Sequence, residues 1–222
     1  MTRFASIRAA MLMVVLLAAA AWIPAQGAGF DAGAWDLSGA QVQEHLGRPA
    51  LQGNAFLKEV EFADGVIEVD ISVTGARSYP GLVFRSRPGG NWERIYLRPH
   101  RAPLYDDVIQ YVPAFHGADS WQLYHGPGVT ANAALPAGAW IHLRLEVSGS
   151  RARLFLDGAA TPALEIFDLR HGPSTGGLGL MGPRDGSAWF SNFSWRSGGV
   201  PAFDPPPLAD APPGMIREWE LS

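Results

Sequence analysis

The 222 residues carry 17 basic and 21 acidic side chains, a formal charge of −4, and no cysteine. Without thiols the chain can form no disulfide, thiolate metal site, cysteine nucleophile or lipidated-cysteine anchor, so packing alone must hold its fold. The acidic balance argues against nucleic acid or anionic lipid as the main partner.

At the start, Arg3 and Arg8 precede an apolar run over 9–21, and Ala25-Gln26-Gly27 places small residues where a signal peptidase reads. The pattern predicts a signal peptide over 1–27, export to a periplasm or beyond the cell, and no stable membrane anchor after cleavage. The apolar run is shorter than the roughly 20 residues of a spanning helix. Residues 28–199 suit one domain. Helix is nearly absent, its best candidate being 40–46, which reads equally well as a turn.

From there, turn residues punctuate apolar-alternating runs at intervals of roughly ten residues. The predicted strands are 56–62, 65–74, 80–86, 91–98, 107–112, 119–125, 139–148, 151–157, 162–167, 177–181, 187–195 and 215–221. The clearest pair surrounds Ser148-Gly149-Ser150. Ile141, Leu143, Leu145 and Val147 share one face, His142, Arg144 and Glu146 the other, and Ala152, Leu154 and Leu156 resume the apolar side. This predicts an antiparallel hairpin in an all-β sandwich. Prolines over 200–214 predict a strap without ladder donors. Beyond it, 215–222 alternates again, and Glu218-Trp219-Glu220-Leu221-Ser222 echoes Ala34-Trp35-Asp36-Leu37-Ser38. The expectation is a last strand returning beside the first.

Asp64-Gly-Val-Ile-Glu-Val-Asp-Ile71, Pro80-Gly-Leu-Val-Phe-Arg85, the 140–158 hairpin and Ser191-Asn-Phe-Ser194 together resemble the concanavalin A-like lectin/glucanase superfamily, which includes laminin G-like domains. The chain is also similar to the secreted bacterial 3-keto-disaccharide hydrolase domains of that fold. The resemblance implies a two-sheet antiparallel jelly roll, a concave face suited to glycans and, in some members, a rim calcium. It also implies where a glucanase would carry carboxylates, in a Glu-x-Asp-x-x-Glu or Glu-x-Asp-x-Glu strand pattern. Glu68 and Asp70 fill the first two positions, but Ser72 and Val73 stand where the partner acid belongs. Retaining hydrolysis by paired carboxylates is therefore closed on this strand, and alternation makes Glu68, Asp70 and Ser72 its solvated side.

The stretch 84–124 is dense in groups that bind sugars: aromatic faces for C–H surfaces, and guanidinium, amide and carboxylate groups for hydroxyls. Candidate ligand-binding residues are Arg85, Glu93, Tyr96, Arg98, Gln110, Tyr111, Trp121 and Gln122. Period two sorts Trp92, Arg94, Tyr96 and Arg98 onto one face and Glu93, Ile95 and Leu97 onto the other. Glu93 thus shares its side with aliphatics, and a structural ion pair to Arg85 is an equal expectation. Glu93, Tyr96, His100 and His116 are the candidates for acid or base work. Asp106 and Asp107 could contribute to a calcium site, although no Asp-x-Asp-x-Asp-Gly loop is present. Gly172-Pro-Ser-Thr-Gly176 matches a serine-hydrolase elbow only by letters, since a strand rather than a helix comes next.

Three functions fit these signals. The first is an exported module binding a carbohydrate or glycoconjugate. The second is a glycoside-cleaving enzyme of the 3-keto-disaccharide type, and the third a structural protein-interaction domain.

Overall fold

A computed structural model describes residues 25–27 and 29–203. Among them the strands are β1 Gln26–Gly27, β2 Trp35–His45, β3 Arg48–Leu57, β4 Gly65–Val73, β5 Gly81–Arg87, β6 Asn91–Leu97, β7 Ile109–Ala114, β8 Thr130–Ala131, β9 Trp140–Ser148, β10 Arg151–Leu156, β11 Leu164–Ile166, β12 Gly177–Met181 and β13 Ala188–Ser197. Two single 3-10 turns, Pro99–Arg101 and Trp121–Leu123, are the only helical segments described.

Hydrogen bonding runs in the order β11-β10-β9-β4-β13-β3-β12-β5-β6-β7-β8, with β2 on β3 and β1 on β13. This ribbon folds face to face on itself. Leu143 and Leu145 of β9 and Leu154 of β10 lie in the same buried cluster as Leu82, Phe84, Ile95, Leu97 and Tyr111 from β5, β6 and β7. One layer therefore comprises β11, β10, β9, β4 and β13, and the other β12, β5, β6, β7 and β8.

Strand β3 makes the corner. Its Leu51 pairs with Phe190 of β13, whereas Ala55 and Phe56 pair with Leu180 and Gly179 of β12. Between them Gly53 has φ +94°, and a Cβ there would stand 2.3 Å from the Gly39 carbonyl oxygen. Only glycine can turn the strand from one layer to the other at this point.

The hairpin read from sequence forms as expected, with Arg151 opposite Ser148 and Leu154 opposite Leu145. Ile141, Leu143, Leu145 and Val147 are buried while His142, Arg144 and Glu146 are half-buried. Three readings change. Residues 40–46 fall almost entirely in β2, where Gln41–Glu44 are all exposed, so this stretch has no buried side to impose alternation. The segment 119–125 contains the 3-10 turn Trp121–Leu123 in place of a strand. The strand expected over 56–62 ends at Leu57 and begins at Arg48.

The outer face of β4 is also covered. Arg48 and His45, at the end of the β2–β3 hairpin, reach across β13 to it. Asp70 Oδ2 accepts from Arg48 Nη1 at 2.6 Å and Asn192 Nδ2 at 2.7 Å, and its Oδ1 lies 2.8 Å from His142 Nδ1. Ser72 Oγ lies 3.1 Å from His45 Nε2. The solvated side expected for Asp70 and Ser72 is thus a roofed polar cluster, tolerated because the carboxylate's lone pairs are engaged. Residues 1–24 of the expected signal peptide, the strand expected over 215–221, and all but the first residues of the strap lie outside the described residues, and cleavage after Gly27 would remove β1, whose Gln26 and Gly27 pair with Trp195 and Ser194. At the strap's start, Phe203 receives the Arg153 guanidinium 4.0 Å above its ring.

Candidate functional site

On the outer side of β6, an open cleft of about 780 Å³ is lined by Arg77 and Tyr79 from the β4–β5 loop and by Arg94 and Tyr96 from β6. Arg98, His100, Arg101 and Asp107 from the β6–β7 loop, with Asp119 and Trp121 from the β7–β8 loop, complete it. That volume lies within the ordinary range of ligand sites. Strand β6 is the reason these groups meet. Ile95 and Leu97 face the core, so Arg94 and Tyr96 face outward, flanked by loops long enough to rim them.

The floor is a bonded network. Tyr96 Oη donates to Gln110 Oε1 at 2.6 Å, and Arg98 Nη2 donates to Tyr96 Oη at 2.7 Å and also to Gln110 Oε1. Gln110 Nε2 then donates to the Trp121 carbonyl at 2.9 Å and to the Tyr124 carbonyl, fixing the 3-10 turn that presents Trp121. Asp107 places one oxygen on Arg98 Nη1 and the other on Arg101 Nε, which ties the start and end of the β6–β7 loop together. The Arg98 guanidinium lies between the rings of Tyr96, at 5.3 Å, and Trp121, at 5.1 Å. Arg94 covers the Tyr96 ring at 4.9 Å. Such cation–π contacts hold the guanidiniums in place.

The rim is freer. Trp121 is 46% exposed and Tyr79 37% exposed, offering aromatic faces to solvent. His100 packs edge-on to Tyr79 with ring centroids 5.7 Å apart. Burial, and then the neighbouring Arg77, Arg101 and Arg98 charges, hold its imidazole below the ordinary value, so it is neutral at pH 7. Burial pulls the Arg94 guanidinium down, against the pull of Asp119.

Of the residues singled out in the sequence, Tyr96, Arg98, Trp121, His100 and Asp107 line this cleft, and Gln110 braces it from beneath. Gln122 is exposed on the same turn as Trp121 but outside the lining. His116 is exposed at the other end of β6, where its N–H donates to Asn91 Oδ1 at 3.2 Å. Asp106 is exposed, 3.5 Å from His125 Nε2, and does not join Asp107. Among the described residues no group of three His, Cys, Asp or Glu side chains could hold a metal ion.

Arg85, Glu93 and Tyr111 correct the ligand-binding expectation, because all three are buried inside the sandwich. The β5 ladder shifts register between Phe84 and Arg87, and Arg85 takes φ +51°. This bulge sends its side chain between the layers. There it donates to the carbonyls of Ala63 at 2.8 Å, Gly172 at 2.9 Å and Gly149 at 2.7 Å, and to Asp64 Oδ1 at 2.9 Å. The expected partner Glu93 instead accepts from Tyr111 Oη at 2.6 Å and from the His171 N–H at 3.0 Å. Burial first, and then the Glu93 charge, push the Tyr111 hydroxyl far up, so it remains a donor.

Sequence reasoning missed Arg77, Tyr79, Arg101 and Asp119 as site residues. Each sits on a loop, where no periodicity points to a face. Arg94 did carry a signal, sharing the alternating face of Tyr96 and Arg98.

No family model matches the chain, and no curated protein matches it. Similar solved structures include the carbohydrate-binding module CBM66 from Bacillus subtilis, with a TM-score of 0.56 at 20% identity over 74% of this chain and 96% of that one. A B. subtilis protein of unknown function with a galectin-like fold gives a TM-score of 0.52 at 15% identity, over 73% of this chain and 89% of that one. At such identities the likeness establishes the fold. The chain is a jelly-roll sandwich of the concanavalin A-like, galectin-like type.

Proposed function

We propose that the protein is an exported carbohydrate-binding module that takes a glycan into the cleft above β6. The reading is carried by one observation, the exposed rings of Trp121 and Tyr79 standing over a floor of fixed guanidiniums. Aromatic faces stack on sugar C–H surfaces, and planar donors in set positions bind ring hydroxyls. The fold shared with a carbohydrate-binding module supports the reading, as does the signal-peptide pattern over 1–27.

Trp121 is the cleanest probe, since its ring is half-exposed while Tyr96 and Arg98 belong to the buried network. Trp121→Ala should lower glycan affinity by at least about 1 kcal/mol, the loss expected of a truncated aromatic anchor, with the melting temperature nearly unchanged. Titration calorimetry against oligosaccharides checks this. Equal affinity of variant and parent would remove the cleft from the function.

One observation favours cleavage as a second reading: His100 offers a neutral imidazole at the rim, as elimination from an oxidised sugar would need for its base. On the binding reading, incubation with 3-keto-disaccharides yields no products. Products that disappear with His100→Gln would establish cleavage instead.

A further inference from the structure

We propose that the cleft selects sugars carrying an anionic group, a uronic carboxylate or a sulfate ester, over neutral sugars of the same backbone. This inference rests on the carbohydrate reading and narrows its ligand class. Four guanidiniums, Arg77, Arg94, Arg98 and Arg101, share the cleft with only two carboxylates, Asp107 and Asp119. The excess of positive charge stands on a chain whose formal charge is −4, so it is a local construction against the overall balance.

The two carboxylates leave that excess in place. Both oxygens of Asp107 are engaged by Arg98 and Arg101. Asp119 lies 3.9 Å from Arg94, and its side chain is 42% exposed, where water weakens the pair. Arg94 and Arg98 flank the same Tyr96 ring at 4.9 and 5.3 Å, which sets two like charges close together. An incoming anion relieves that repulsion.

The fixity of these charges points the same way. The Arg98 side chain is 7% exposed and that of Arg94 11%, and Arg94 Nη2 donates to the Tyr79 carbonyl at 2.5 Å, so both guanidiniums are held beside the cleft. Fixed, partly desolvated cations attract an anionic group with a Coulombic force that a neutral hydroxyl does not feel. A carboxylate and a sulfate both carry that charge.

The test uses the full chain in affinity electrophoresis and calorimetry with matched polymers: polygalacturonate against its fully methyl-esterified form, and a sulfated galactan against its desulfated form. The expected result is at least about tenfold tighter binding to one charged member of a pair, weakening as salt rises from about 0.05 to about 0.5 M. Whichever charged polymer wins identifies the anion. The Arg77→Gln/Arg101→Gln double variant, confirmed folded by its melting curve, should lose most of the charged-over-neutral ratio. Equal binding to charged and neutral members overturns the anion proposal and leaves the carbohydrate reading standing. Binding of inorganic sulfate with no retention by any polymer overturns both.

Discussion

Arg85 shows how a residue type that suggests ligand chemistry can be committed to the fold. Its guanidinium is 1% exposed and bonded to three carbonyls and one carboxylate, drawn from the β3–β4, β9–β10 and β11–β12 loops. Removing it leaves the part-buried Ala63, Gly149 and Gly172 carbonyls short of a donor, while Asp64, 46% exposed, still accepts from the Gly149 N–H and turns to water. Arg85→Met should therefore cost about 1–3 kcal/mol of stability in urea denaturation, while any folded fraction keeps its glycan affinity. A selective loss of binding at full stability would return Arg85 to the site. Its burial was legible beside the aliphatic face of β6, but its partner was not. A bulge changes which way a side chain points, and nothing in Phe84-Arg85-Ser86 announces one. Glu93 was readable for the opposite reason, lying on a regular strand between Trp92 and Arg94.

At the scale of elements, the sequence disclosed strands with one dry and one wet face and hid those without that contrast. The pair β9 and β10 was plain, whereas β2, with Gln41–Glu44 in water, carried no alternation. The Trp121–Leu123 turn reads as a strand because its residue types suit either; its position depends on a distant amide. Gln110 on β7 holds the Trp121 and Tyr124 carbonyls. Gln110→Leu should release the turn, raising amide exchange over 121–124 by at least about tenfold in mass-spectrometric labelling and weakening glycan binding. Unchanged exchange would show that the loop holds its shape without the amide.

For the whole molecule, the absence of disulfides leaves packing and buried polar bonds to set stability, and two histidines give it a pH dependence. Burial holds His45, which is stacked 3.7 Å from Trp189, below its ordinary value; burial and three arginines do so for His100. Between those lowered values and the unfolded value of about 6.5, the unfolded chain binds more protons than the folded one. Stability therefore rises with pH through that interval and levels off above it. Urea midpoints should be lower at about pH 5 than at about pH 7.5, and His45→Asn should shrink the difference. Equal midpoints would contradict this assignment. The cleft belongs to the same scale. Loops from three parts of the chain meet over β6, so half of its lining was visible in the sequence and half waited on topology.

Strand β6 is paired on both sides, to β5 and to β7, and carries Arg94 and Tyr96 on its outer side and Glu93, Ile95 and Leu97 on its inner one. Sliding it by a single residue would drive Arg94 into the hydrocarbon interior and turn Ile95 and Leu97 outward. The Arg94 charge thus also polices assembly, making the misaligned pairing costly. An engineer could graft new rims around this strand freely, but neutralising it would remove a safeguard against misfolded, sticky forms as well as a recognition surface.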